Sequence, residues 1–355
     1  MKEIEKYVEL SFIKGIGNRT LKALFEIYKT PEEVFNESFD KLSEKIGNKN
    51  AEKILYRDKK LKELAKKEVD KAEKIGAEII PITDKNYPEL LKELPDPPFI
   101  LYSLGNIETV KNSLSIVGSR KYSSYGKSTT EKFSKELAEA GVNIVSGLAS
   151  GIDSIAHKAV IKSGGTTTAV LGNGIDIVFP PENKKLFQEI VENGVVLSEY
   201  PIGTKPSKYT FPIRNRIIAG LSYGVIVTEA SRKSGALITA KLASDYGRVV
   251  FSVPANINNP LAEGNNQLLK EGAFPLTDIK DIKNIFPYLF KDRKNEKSIE
   301  LDELEKQILR MLSEPKHIDD IVEKTKISID KLSVILFDME MKGVITCVNG
   351  LYIKN

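Results

Sequence analysis

The sequence predicts an α/β protein built on a Rossmann-like, doubly wound parallel sheet, with a helical region before it and a winged helix after it. Three observations carry this expectation: short apolar runs alternating with helix-length segments from Leu114 to about Thr277, helical spacing of apolar residues up to about Lys74, and three helical patterns leading into a hairpin signal after Ile299. At 355 residues the chain is long for a single core, so several domains are expected.

In the first region, residues 1–75, Leu21, Leu24, Phe25 and Tyr28 recur at helical spacing. The stretch Phe12 to Thr20 carries an apolar-Gly-apolar-Gly turn, so a SAM or helix-hairpin-helix-like domain is expected. Glycine in such a turn leaves room for backbone N–H groups to approach a phosphate, although a tight turn inside a helical bundle has the same sequence. Ile79 to Ile82 then reads as a strand, and Phe99 to Tyr102, after Asp96-Pro97-Pro98, as a second apolar stretch.

The central domain, 76–286, holds the alternating pattern. Its apolar runs are centred on Ile116, Ile144, Ala169, Val196, Ile226 and Phe251, and the segments between them tend to end in glycine, at Gly141, Gly164, Gly194 and Gly247, where helix C-caps are expected. Strands buried on both faces with helical crossovers imply a parallel sheet. Residues 287–298, with the charged run Lys291 to Lys297, read as a linker. In 299–355, three helical patterns precede two apolar runs separated by Asn349-Gly350, the order of a winged helix.

Composition narrows the class. With 41% hydrophobic and 29% charged residues the chain is neither fibrous nor disordered. No apolar run reaches the roughly 18 residues of a membrane span, and Met1 to Leu10 has no signal-peptide core, so a cytoplasmic protein is expected. Cys347 is the only cysteine, and His157 and His317 are the only histidines, so neither a disulfide framework nor a Cys/His zinc site is expected. Charge is uneven: Tyr200 to Val250 has eight basic and two acidic side chains, whereas Ile299 to Asn355 has eight basic and eleven acidic. A polyanion would meet the middle of the chain.

Ligands of open α/β sheets bind beyond the carboxyl ends of the strands. Four loops fall there: Gly118-Ser119-Arg120-Lys121, the loop opening Ser146-Gly147, Gly172-Asn173-Gly174, and the loop containing Lys233-Ser234-Gly235. Each alone suits a tight turn; four on one edge favour an anion. A P-loop is excluded because Lys121 stands where its first glycine belongs, and a dinucleotide fingerprint because Arg120 stands where close approach to pyrophosphate needs glycine. A nucleotide phosphoribohydrolase of Rossmann-like type is the enzyme alternative, but the stretch from Lys233 to Ala240 lacks the glutamate it needs. Asp153 and His157, at i and i+4, are read as a structural hydrogen-bonded pair in the absence of a nucleophile. No catalytic residue and no cofactor is expected.

The segment Lys205 to Arg216 mixes cations with aromatics, as a single-strand binder requires: cations track the backbone and a π-face stacks on an exposed base. Pro212 is expected at the first position of a helix, with Lys208 and Phe211 beside its positive end. Arg214 and Arg216 point in different directions, so one meets phosphate and the other an internal carboxylate such as Glu199 or Glu229.

These residues amount to a likeness. The stretches IVGSRKYSSYG (116–126), SGLASGIDSIAHKAV (146–160), AVLGNGIDIVFPPEN (169–183), FPIRNRIIAGLS (211–222) and TEASRKSGALITAKLASDYGRVVFSVP (228–254) resemble the DNA-processing protein A (DprA/Smf) family, in its order. The resemblance implies a non-enzymatic protein that binds and protects incoming single-stranded DNA and loads the RecA recombinase during natural transformation. It also implies DNA contacts at Arg120, Lys208 and Phe211, and a homodimer joined through residues 254–272. One departure falls there, since Ala255 stands where the family commonly has glycine. The expected DNA-contacting set is Gly118, Ser119, Arg120, Lys121, Ser146, Gly147, Lys208, Phe211, Arg214, Arg216, Lys233, Ser234 and Gly235. The acidic winged helix is expected to serve protein contact or a weak accessory role.

Overall fold

The computed structural model describes residues 2–290, 302–312, 316–325, 327–341, 344–348 and 351–354, in two compact units, 1–291 and 292–355. The expected linker run from 291 and the Asn349-Gly350 turn lie outside the described residues.

The first unit opens with six helices: α1 (Glu3–Ser11), α2 (Asn18–Phe25), α3 (Pro31–Asn36), α4 (Phe39–Ile46), α5 (Asn48–Leu55) and α6 (Lys60–Lys74). The turn between α1 and α2 is the expected hairpin, with Gly15 at a φ of 77°. Strands β1 (Glu78–Pro81) and β2 (Ile100–Gly105) follow, joined through α7 (Glu89–Lys92). Then strand and helix alternate: β3 (Ser113–Val117), α8 (Ser124–Glu139), β4 (Asn143–Ser146), α9 (Ile152–Lys162), β5 (Thr167–Leu171), α10 (Lys184–Asn193), β6 (Gly194–Ser198), α11 (Thr210–Gly220), β7 (Gly224–Val227), α12 (Ala236–Asp245), β8 (Val249–Ser252), α13 (Glu263–Lys270), β9 (Phe274–Pro275) and α14 (Ile279–Ile285).

The sheet runs β1-β2-β6-β5-β4-β3-β7-β8-β9. From β6 to β9 all pairings are parallel, whereas β2 runs antiparallel to both β1 and β6, so the doubly wound sheet carries a two-stranded antiparallel extension. Each of β3 to β7 is buried along its whole length, the reason these segments read as unbroken apolar runs. The order places β3 between β4 and β7, so the winding direction reverses there and a crevice opens beyond its carboxyl end.

Two local expectations are corrected. Gly141, Gly164 and Gly247 adopt the left-handed φ of a helix stop, but Gly194 is extended and begins β6; a Cβ there would lie 2.0 Å from the Thr167 carbonyl oxygen, so close strand approach, not helix termination, demands glycine. Helix α11 starts at Thr210, two residues before Pro212, so the proline occupies the third helical position. It is tolerated because the first N–H groups of a helix have no intrahelical acceptor.

The six N-terminal helices do not stand apart from the sheet. Tyr7, Val8, Leu24 and Val69 share one apolar core with Phe99, Tyr102, Val196 and Ile190. Glu68 of α6, 3% exposed, accepts hydrogen bonds from the Tyr102 hydroxyl (3.1 Å) and the Ile202 N–H (2.6 Å).

The second unit contains α15 (Glu303–Met311), β10 (Lys316–His317), α16 (Ile318–Thr325), α17 (Ile329–Met341), β11 (Ile345–Val348) and β12 (Leu351–Lys354). Its three-stranded antiparallel sheet has the order β10-β12-β11, the winged-helix arrangement with a short additional strand that the sequence did not announce. Ile308, Ile321, Leu332, Leu336 and Ile345 form its core, while Val334 and Phe337 are exposed on α17. Among the described residues no helix is long and apolar enough to cross a membrane.

Candidate nucleic-acid interface

The loop after β3 is held by an acid beneath it. Glu229, fully buried after β7, accepts hydrogen bonds from the N–H and hydroxyl of Ser123 (both 2.6 Å) and from Asn259 Nδ2 (3.2 Å), while its backbone oxygen accepts from Ser119 N–H at 2.7 Å. Ser123 in turn caps α8 by accepting from Gly126 N–H. Gly118 is required by close approach, since a Cβ would meet Ile152 Cγ1 at 2.6 Å and the Glu229 carbonyl oxygen at 2.8 Å. The Ser119 hydroxyl accepts from Ser231 N–H (3.2 Å) and bonds Ser234 Oγ (3.3 Å), tying this loop to the one after β7. Arg120 and Lys121 are thereby left exposed at the tip of a braced turn.

On the opposite wall stands α11. Phe211 packs over Gly172, where a Cβ would come within 2.7 Å of its ring, and stacks on Phe179 with centroids 5.7 Å apart and planes 28° from parallel. The guanidinium carbons of Arg120 and Arg214 each lie 6.0 Å from the Phe211 centroid, at the outer range of a cation–π contact. Lys208, one turn earlier, is exposed, with Nζ 5.2 Å from the ring centre of the equally exposed Tyr209.

Arg214 is buried beneath this surface. It donates to the Gly147 oxygen at 2.8 Å and to the Val170 oxygen. Its charge opposes the burial that raises the Asp153 pKa, and Asp153 also accepts from the N–H groups of Gly147 (3.1 Å) and Ala149 (3.4 Å). Burial lowers the Arg214 pKa to about 10, so the guanidinium stays charged at neutral pH. His157 is bonded to Thr167 Oγ1 at 2.7 Å rather than to Asp153, which corrects the expected Asp–His pair: its ring faces the sheet, and burial pushes its pKa down to about 3. It is a neutral core residue.

Gly118, Ser119, Arg120 and Lys121, with Phe211 and Arg214 and with Ser234 and Gly235, line one cleft of about 390 Å³. Lys208 and Lys233 are exposed outside that lining. Three further expected residues are turned away from it. Ser146 is buried and donates to the Ile116 oxygen at 2.6 Å. Gly147 lies under the Arg214 guanidinium, 2.6 Å from where its Cβ would be. Arg216 faces the other way, paired with Glu199 and, at 3.6 Å, with Asp96, so of the two arginines it is the one taken by an internal carboxylate. Phe179 was missed: it lies in the irregular stretch between β5 and α10, and the only signal was an aromatic residue following a Gly-rich turn at the same sheet edge.

The chain was compared with known proteins. Residues 78–287 match the family described as DNA recombination-mediator protein A, residues 293–350 the DprA winged helix domain, and residues 7–57 the SAM-like helix-hairpin-helix tandem. Protein Smf of Synechocystis sp. is 36% identical over 96% of both chains. The DNA processing protein DprA of Bacillus subtilis is 43% identical over 58% of this chain and 70% of its own length. Among solved structures, DprA from Streptococcus pneumoniae superposes with a TM-score of 0.69 at 37% identity, covering 79% of this chain and 97% of that one. DprA from Helicobacter pylori, described for its single-stranded DNA binding mode, gives 0.55 at 32% identity over 61% of this chain and 97% of its own. The match to the whole central sheet domain and the likeness to Smf along nearly the full length establish the relationship: this chain belongs to the DNA recombination-mediator protein A family, the family of the DprA and Smf proteins.

Proposed function

We propose that the protein binds single-stranded DNA in the cleft between the Gly118–Lys121 loop and α11, protects it, and delivers it to the RecA recombinase in natural transformation and homologous recombination. The observation that carries the reading is the meeting of Arg120 and Arg214 at the Phe211 ring, cations beside an aromatic surface on a braced scaffold. Unpaired bases offer a π-face to such a ring, and phosphates a charge to such guanidinium groups; a stacked duplex hides the first. The single-strand binding described for the Helicobacter pylori relative supports the same choice. The protein acts without catalysis: Asp153, the acid in the cleft lining, is buried and accepts from the Gly147 and Ala149 N–H groups, and Glu229 behind the loop has its carboxylate oxygens engaged by Ser123 and Asn259.

The working form is a cytoplasmic homodimer joined through residues 254–272, where Ile257 stands 85% exposed. RecA delivery belongs to the same reading.

A salt titration on oligo-dT tests the proposal. Wild type binds with log K falling linearly against log salt, and Arg120→Ala lowers that slope by about 0.7, one phosphate contact on a single strand. Binding that ignores both salt and Arg120 sinks the reading.

A further inference from the structure

The wall of the cleft that carries Arg120 continues into a second aromatic surface. Lys121 is followed by Tyr122, 42% exposed, and Tyr125, 50% exposed, stands in the first turn of α8. The start of the helix is pressed onto the buried acid beneath it: a Cβ on Gly126 would lie 2.7 Å from the Glu229 carboxyl carbon, so the neighbouring Tyr125 is left on the outer side. Its ring is also held in place. The Tyr125 hydroxyl donates to the Pro254 oxygen at 3.1 Å, just past the carboxyl end of β8, and so spans the sheet edge from the loop after β3, across β7, to β8.

Two exposed tyrosines alone are an ordinary surface; what surrounds them gives them a use. From Gly118 to Thr130 the chain has three cations, Arg120, Lys121 and Lys127, and no acid, and Pro254 to Ala262 has no charged residue at all. The first acid beyond, Glu131, reaches only Lys127, at 3.9 Å. A phosphate on this edge meets attraction without repulsion. Arg120 and Lys121 line the Phe211 cleft, so the cations at its mouth lead straight to the two rings. A single strand continuing past its first stacked base needs this arrangement, a π-face for the next base and a charge for the next phosphate. A duplex, with its bases stacked inside, gains nothing from the rings.

We infer that Tyr122 and Tyr125 form a second stacking subsite for the same strand: nucleotides leaving the Phe211 cleft pass Arg120 and Lys121 and lay their bases on these rings, along the carboxyl edge of the sheet towards β8. The inference rests on the single-strand reading above.

The test compares full-length wild type, Tyr122→Ala, Tyr125→Ala, Tyr125→Phe and Arg120→Ala on oligo-dT of about 4 and about 16 nucleotides, over a range of salt. Each alanine variant of the tyrosines matches wild type on the short oligomer. On the long one it binds about 5- to 150-fold more weakly with the salt slope unchanged, as the loss of one stacked base and of no phosphate contact demands. Tyr125→Phe keeps its ring and binds the long oligomer as wild type does, and Arg120→Ala weakens both. The chain has no tryptophan, so Tyr122→Trp carries a single indole, whose fluorescence the long oligomer quenches and the short one does not. If the tyrosine variants follow wild type on the long oligomer, or the indole does not respond to it, while Arg120→Ala weakens both, the second subsite is refuted and the first cleft stands. If Tyr122→Ala or Tyr125→Ala instead alters self-association in sedimentation without DNA, the rings belong to a contact between copies and the subsite is refuted in the same way. If Arg120→Ala changes nothing, or wild type binds neither oligomer, both readings fall together.

Discussion

The guanidinium carbon of Arg120 lies 6.0 Å from the centroid of the Phe211 ring, although the two residues come from opposite walls of the cleft. The loop brings the guanidinium and α11 the ring; their juxtaposition sets a cation beside a flat apolar surface. Phe179 stacks on the same ring, with centroids 5.7 Å apart.

Replacing Phe211 by alanine removes the stacking surface and leaves the cations. The expected loss is about 1–3 kcal/mol of single-strand affinity with the salt slope unchanged, because no phosphate contact is lost. Fluorescence anisotropy at several salt concentrations separates the two quantities, and a fall in slope would show that the ring acts by positioning Arg120 instead.

Arg214 behaves differently from Arg120. Truncating it to alanine leaves Asp153 buried without its cation and the Gly147 and Val170 oxygens without their donor, so stability drops by about 3–5 kcal/mol. Adding Asp153→Asn to that variant recovers part of the loss, since the uncompensated charge is gone. Urea denaturation of the two variants beside Arg120→Ala, which leaves stability unchanged, measures the contrast.

His157 makes the fold acid-sensitive. Its pKa falls from 6.5 to about 3 on folding, through burial first and Arg214 second, so the unfolded chain binds more protons between those values. The contribution is fully present above about 6.5 and is lost as pH falls towards about 3, up to about 5 kcal/mol over the whole window. His157→Gln flattens that part of the stability–pH curve. An equally steep fall in the variant would assign the acid sensitivity to other groups.

Removal of residues 299–355 is expected to leave single-strand affinity within about twofold of wild type, because a segment with eleven acidic and eight basic side chains gains little from counterion release. The exposed side of α17 presents Val334 and Phe337, apolar groups suited to protein contact. A large loss of affinity on truncation would mean that the winged helix binds nucleic acid after all.

The sheet was legible because β3 to β7 are buried on both faces and so appear as unbroken apolar runs, and the loops at their carboxyl ends could be placed from that order alone. Side-chain direction was legible only in part. Helical spacing separates Arg214 from Arg216, but only the fold assigns Arg216 to Glu199, and Ser146 resembles a phosphate-binding hydroxyl in sequence but donates to Ile116. Gly194 has the look of a helix stop, yet the constraint comes from Thr167 on the neighbouring strand. Phe179 reaches Phe211 only through tertiary folding, with no periodicity to announce it.

The apolar core common to Tyr7, Val69, Phe99 and Tyr102, with Glu68 clasping Tyr102 and Ile202, has a practical corollary. No swivel exists at the junction near residue 75, so the helical region cannot be clipped off as an independent cassette. An expression fragment starting at residue 76 would expose the greasy underside of the antiparallel extension and strand the Tyr102 hydroxyl, and is expected to aggregate. Engineers wishing to shorten this protein should begin at its other end.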